Sequence, residues 1–195
     1  MPPGTVLAAT LLAAIDMQNV FAAADSPWRT PRFPDVVGPI RELATAFGAN
    51  TVFTRFVAPA EPTGAWRPYY AQWPFALQPP DAPLWNVVDE LADLAGRTLS
   101  APTFSKWRQL SAVLAPGGRL VLCGVSTDCC VLSTALEAAD AGAEVLVVED
   151  ACAGLDDNTH AKALELMDLY APLVRVVDLA EGLALGDGIR SSTSR

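Results

Sequence analysis

Short apolar runs alternate along the chain with stretches whose apolar residues recur every three or four positions. Thr10 to Ile15 reads as a buried strand, and Val36, Val37, Ile40, Leu43, Ala44 and Phe47 then take helical spacing with Gly48 as the stop. Thr51 to Phe56 predicts a second strand, Trp85, Val88, Leu91 and Ala92 a helix closed by Gly96, and Arg97 to Ser100 a weak third strand. Phe104 to Leu114 is expected to be helical, Arg119 to Cys123 a fourth strand, Cys129 to Ala141 a helix, and Glu144 to Glu149 a fifth strand. A last helix, about Thr159 to Tyr170, leads into Val174 to Leu179. Six such alternations predict an α/β fold, a mostly parallel sheet with helices on both faces. Ligands of such sheets bind beyond the carboxyl ends of the strands, and Asp16, Arg55 and the turn GVSTDCCV (Gly124 to Val131) all fall on that edge.

Composition narrows the class. A chain of 195 residues, 51% of them hydrophobic, is expected to be one domain, over residues 1–181, able to bury about 70% of its unfolded surface. Gly182 to Arg195 reads as a frayed polar tail. The net charge of −9, with Lys106 and Lys162 the only lysines, argues against nucleic acid or a membrane surface as partner. A small-molecule substrate is expected instead. Cysteines at 123, 129, 130 and 152 lack the spacing of a zinc site or a disulfide framework. No signal-peptide pattern opens the sequence, so the cytoplasm is the expected compartment.

The GVSTDCCV turn carries the chemistry. It lies between strand and helix, where free backbone N–H groups and the helix dipole favour a thiolate, so a thiol pKa is expected to fall from about 8.5 toward roughly 3.5–7.5. Thr127 or Asp128 can cap the helix. On a wheel of about 100° per residue, Cys129 aligns with Leu132 and Leu136, while Cys130 aligns with Ser133, Thr134 and Glu137. Cys129 therefore reads as a small core residue and Cys130 as the thiol free to meet a substrate; spacing alone also allows both to be packing residues. Asp16 ends the first strand, and a carboxylate after a buried strand needs solvent or a partner. It reads as a cap or paired structural residue when taken alone, and as the activator of Cys130 when the two share a cleft.

Four blocks in order, DMQNVF (Asp16 to Phe21), TRF (Thr54 to Phe56), GVSTDCCVLSTALEAADAG (Gly124 to Gly142) and EVLVVEDACAG (Glu144 to Gly154), resemble the isochorismatase-like cysteine hydrolases. The resemblance implies a doubly wound, Rossmann-type sheet of six strands and an Asp-Lys-Cys triad. It also implies a cis peptide at Val125–Ser126. Cys130 matches the nucleophile, Asp16 the general base, and the N–H groups of Ser126 and Cys130 the oxyanion hole. In most relatives the lysine stands about four residues before a Ser-small-aromatic triplet, Ser105-Lys106-Trp107 here, which puts Ala101 in its place. Lys106, five residues late, is taken as the triad cation; a solvated lysine on a helix is the alternative.

Relatives acting as nicotinamidases carry an Asp and several His after strand two. This stretch, RFVAPAEPTGAWRPYYAQWPF, has none of the histidines, and the lone His160 reads as a surface residue. No metal and no cofactor are expected. The stretch offers aromatics, which suit a packed lid, a dimer contact or a pocket. With Trp28 nearby, Phe21, Trp66, Tyr70 and Trp73 are assigned to a flat apolar pocket and Arg55 to a carboxylate anchor. The expected assembly is a homo-oligomer, dimer or tetramer. The function expected is metal-independent hydrolysis of a small amide, ureide or lactam through a thioester. The alternatives are enol-ether hydrolysis of the isochorismatase type, and a silent binding or redox-sensing protein using Cys129 and Cys130.

Overall fold

The computed structural model describes residues 7–193, so residues 1–6 of the expected domain and 194–195 of the expected tail lie outside the described residues. Six parallel strands form one sheet: β1 (Ala8–Ile15), β2 (Thr51–Phe56), β3 (Thr98–Ala101), β4 (Leu114–Val125), β5 (Glu144–Ala153) and β6 (Val174–Val177), in the order β3-β2-β1-β4-β5-β6. Their apolar runs are buried on both faces, between two core clusters. The order reverses between β1 and β4, where Ile15 pairs with Gly124. Crossovers leave in opposite directions there, and a crevice opens beyond the strand ends.

Helices α1 (Asn19–Ala22), α2 (Phe33–Phe47), α3 (Trp66–Gln72), α4 (Asp89–Ala92), α5 (Trp107–Leu110), α6 (Leu132–Asp140), α7 (Asp157–Asp168) and α8 (Leu179–Thr193) cover the sheet. The second strand lies where the sequence predicts it, and α2 ends at Gly48 as expected. Several elements differ. The expected helix from Phe104 to Leu114 is one turn, α5, and Leu114 already pairs with Ala8 in the sheet. The helix expected around Trp85 to Ala92 breaks into a short turn, Pro83–Trp85, and α4.

The largest correction is the supposed tail from Gly182, which is helical through Thr193 as α8. Its first N–H groups are taken by carboxylates, Leu179 by Asp150 and Glu181 by Asp178. Leu179, Leu183, Leu185 and Ile189 pack on the core. Gly182 lies against Leu43 and Val148, and Gly186 against Ala46 and Phe47. Glycines that weaken an isolated helix here admit close contact with α2.

Candidate active site

Asp16 follows the last residue of β1 with a left-handed φ of 50° and is fully buried. Thr54 of β2 fixes it twice: its hydroxyl accepts from the Asp16 N–H at 3.1 Å and donates to Oδ1 at 2.7 Å. Gln18, also fully buried, ties the same strand end to β2, accepting from the Phe56 N–H and donating to the carbonyls of Phe56 and Trp85. On the other side Gly124, at φ 110°, passes so close to the Ile15 backbone that a Cβ there would collide with it.

Lys106 meets this carboxylate. Its Nζ lies 2.9 Å from Asp16 Oδ2, with both side chains 0% exposed, so it is no solvated helix lysine. The chain turns inward before α5, and Nζ donates to the Thr103 carbonyl at 2.6 Å and stands 4.8 Å from the centre of the Phe56 ring. A lysine displaced along the sequence still arrives because this turn brings it back over β2. Thr134 of α6 joins it to the thiol turn, its hydroxyl accepting from the Lys106 N–H and donating to the Cys130 carbonyl at 2.6 Å.

The thiol turn itself departs from the expected helix. The Val125–Ser126 peptide is cis, as the resemblance implies, and Thr127–Val131 forms a wide turn in which the Ser126 carbonyl accepts from the N–H groups of Cys129 and Val131. An i+5 bond rotates successive side chains differently from an α-helix, so the wheel misplaced both cysteines. Cys129 is exposed and Cys130 is buried, 3% exposed, and both border the same cavity. The lowered thiol pKa is also corrected. Burial pushes the Cys130 thiol well above its ordinary value, Lys106 pulls it back, and Asp16, a hydrogen-bond partner, pushes it up again. Burial and the neighbouring Asp128 raise the Cys129 thiol as well.

The cavity in front of the thiols measures about 450 Å³. Phe21, Trp28, Phe56, Tyr69, Trp73 and Phe104 supply much of its wall, with Arg29, Thr30, Asp128 and Leu155 among the remainder. Phe21 and Trp73 are where the sequence puts them; Trp66 and Tyr70 are not. The connection after β2 contains α3, on which Tyr69 and the following Trp73 are four residues apart and share the cavity side. Trp66 and the buried Tyr70 stand behind them, Trp66 packing on Phe104 at 5.2 Å and on Tyr70 at 5.9 Å between ring centres. Burial raises the Tyr69 hydroxyl to about 12. Arg55 does not reach the cavity: it pairs in register with Ser100 of the edge strand, and its guanidinium donates to the Ser100 hydroxyl at 3.0 and 3.2 Å. Thr54, Thr134 and Arg29 are site residues that the sequence reading missed; Thr54 and Thr134 had a signal, as parts of the TRF and GVSTDCCVLSTALEAADAG blocks, and Arg29 had none.

A second cleft, of about 240 Å³, is mainly polar. His160 lines it, half-buried rather than a free surface residue, with Nδ1 2.9 Å from the Thr127 hydroxyl. Burial, then Arg32, holds its pKa below the ordinary value. Among the described residues no group of three or more His, Cys, Asp or Glu side chains is placed to hold a metal ion. The segment after β2 presents Glu61 and a wall of aromatics, a donor set that does not fit a divalent cation. No helix among the described residues is long and apolar enough to cross a membrane.

An open parallel sheet with a buried acid, lysine and thiol at its reversal point defines a doubly wound α/β protein with its site at the switch point, and the comparisons agree on that fold. A cysteine hydrolase from Pseudomonas syringae pv. phaseolicola 1448A shares the fold with a TM-score of 0.80 at 19% identity, over 92% of this chain and 93% of that one. A pyrazinamidase of Pyrococcus horikoshii in complex with zinc gives 0.66 at 23% identity, over 88% and 99%. Isochorismatase domain-containing protein 2 of Rattus norvegicus is 36% identical over 94 residues, 43% of this chain and 41% of that protein, so the match spans less than half the length of the curated relative. The isochorismatase domain family matches residues 10–181, and the chain belongs to that family, the isochorismatase-like cysteine hydrolases.

Proposed function

We propose that this chain is a cysteine amidohydrolase that cleaves a small amide, ureide or lactam without a metal ion, using Asp16, Lys106 and Cys130. The observation that carries this reading is the buried Lys106 and Asp16 pair set against a thiol at the wall of an apolar cavity. A pair of opposite charges removed from water is costly unless well partnered, and here Thr54 and Thr103 supply the partners. The arrangement keeps a proton acceptor beside the thiol.

In the reaction, Asp16 takes the Cys130 proton as Sγ attacks the carbonyl carbon, and Lys106 stabilises the negative charge passing between them. The carbonyl oxygen becomes an oxyanion held by the N–H groups of Ser126 and Cys130. Collapse breaks the C–N bond, and Asp16 returns its proton to the departing nitrogen. Water, deprotonated by the same carboxylate, then attacks the thioester; the acid leaves and the thiol regains its proton. A protonated resting thiol suits this order, because the proton moves only as the carbonyl arrives.

A panel of amides, ureides and lactams assayed for ammonia or amine release tests the proposal. Turnover by the wild type and none by Cys130→Ala is expected. Hydrolysis that persists in folded Cys130→Ala, or a panel left wholly untouched by the wild type, overturns it.

A further inference from the structure

Three consecutive residues, Trp28, Arg29 and Thr30, line the cavity and hold hydrogen-bond donors that the protein itself leaves unused. The Trp28 Nε1 is buried with no partner. The exposed Arg29 guanidinium makes no hydrogen bond or ion pair among the described residues, whereas Arg32, three positions on, is held by Asp35 and Asp157. Thr30, only 3% exposed, uses its backbone toward Phe21 and Phe33 while its hydroxyl makes no hydrogen bond among the described residues.

The same cavity also carries a carboxylate. Asp128, next to the thiols in the chain, lines it with a carboxylate that accepts from the Leu155 N–H at 2.9 Å and the Ser126 hydroxyl at 3.2 Å. The cavity is thus negative beside the thiols at Asp128 and positive at Arg29, and aromatic rings supply much of its wall. A guanidinium beside apolar walls is screened less than one in open water, and its fork matches a planar carboxylate. An anion is repelled by Asp128 and attracted by Arg29.

We infer that the substrate is an amide bearing a carboxylate on the side away from the scissile bond, held by Arg29 with Trp28 Nε1 and the Thr30 hydroxyl. This inference rests on the amidohydrolase reading for its chemistry, but the anion subsite is a separate feature of the cavity.

Matched pairs test it: monoamides of four- to six-carbon dicarboxylic acids against straight-chain amides of the same length. Wild type is expected to favour the carboxylate in at least one pair by roughly tenfold or more in kcat/KM, chiefly through KM. Arg29→Gln should bring that ratio close to one, and Arg29→Lys should restore part of it. An unchanged ratio in Arg29→Gln overturns the inference and leaves the amidase reading standing. A second measurement does not need turnover: calorimetric binding of the same monoamides to Cys130→Ala should weaken about tenfold on adding Arg29→Gln. Equal binding with and without Arg29 overturns the subsite even if no amide is ever hydrolysed, while a loss of binding there supports it independently of the reaction.

Discussion

The aromatic cavity and the polar cleft are built from opposite materials. The larger is walled by aromatic rings and holds both thiols, whereas the smaller is lined by Arg32, Glu149, Asp156, Asp157 and His160. Yet residues of both hold the same turn: His160, in the cleft, bonds to Thr127, and Leu155, in the larger cavity, donates its N–H to Asp128. The apolar side excludes water from the acid, lysine and thiol, strengthening each charge interaction there, and the polar side anchors the backbone that carries them. Ring packing alone would leave the buried Thr127 hydroxyl without a partner, a costly state.

Breaking the apolar side should have the largest effect. Cys130→Ala should lower turnover by at least about 10³-fold, on the scale of removing a nucleophile, while Cys129→Ala should keep most activity because its exposed thiol supports no buried contact. Equal losses in two folded variants would show that the pair cannot be told apart by position. Next in size is Lys106→Met, which strands the Asp16 carboxylate and should cost about 3–5 kcal/mol of stability in denaturant unfolding. In the same variant alkylation of Cys130 by iodoacetamide should slow at fixed pH, since Lys106 pulls the thiol pKa down. Unaltered alkylation would detach Lys106 from the thiol.

The polar side should yield smaller, pH-dependent effects. The folded protein holds His160 below its ordinary pKa, so the unfolded chain takes up the proton first, and stability is lost as pH falls from about 6.5 toward the folded value. His160→Gln should flatten the fall of Tm between pH 7 and 5, and a parallel slope in both proteins would mean that another group is responsible. Smallest is Arg32→Gln at the exposed rim, where ion pairs with Asp35 and Asp157 are solvated. Neither Tm nor the kinetics should move measurably; a clear loss of activity would make the polar cleft more than a support.

The two sides were unequally legible in the chain. The buried strands show as apolar runs because their neighbours on both faces are apolar, and Asp16 and the cysteine turn stand at their ends for anyone who reads the pattern. What failed depends on registers and turns that local periodicity does not encode. Cys129 and Cys130 exchange burial because one carbonyl is bonded at i+5, Arg55 is captured by a residue 45 positions away, and α8 exists because the distant carboxylate of Asp150 and a grooved α2 receive it. Lys106 is legible as a residue type, whereas the turn that carries its Nζ to Asp16 and the Thr103 carbonyl is not. Which aromatics face the cavity became decidable only with α3, whose four-residue repeat separates Tyr69 and Trp73 from Trp66 and Tyr70.

The ring cluster also makes the protein its own optical probe. Two of its five tryptophans, Trp28 and Trp73, line the cavity with ring centres 6.4 Å apart, and Trp28 lies 5.1 Å from Phe75, while Trp85 is sealed in the core. Indole emission responds to polarity and to nearby thiols, so a ligand that displaces solvent between Trp28 and the cysteines changes the spectrum at the place where it binds. Filling of the site can be followed without a label, and Trp28→Phe and Trp73→Phe tell which wall the ligand touches.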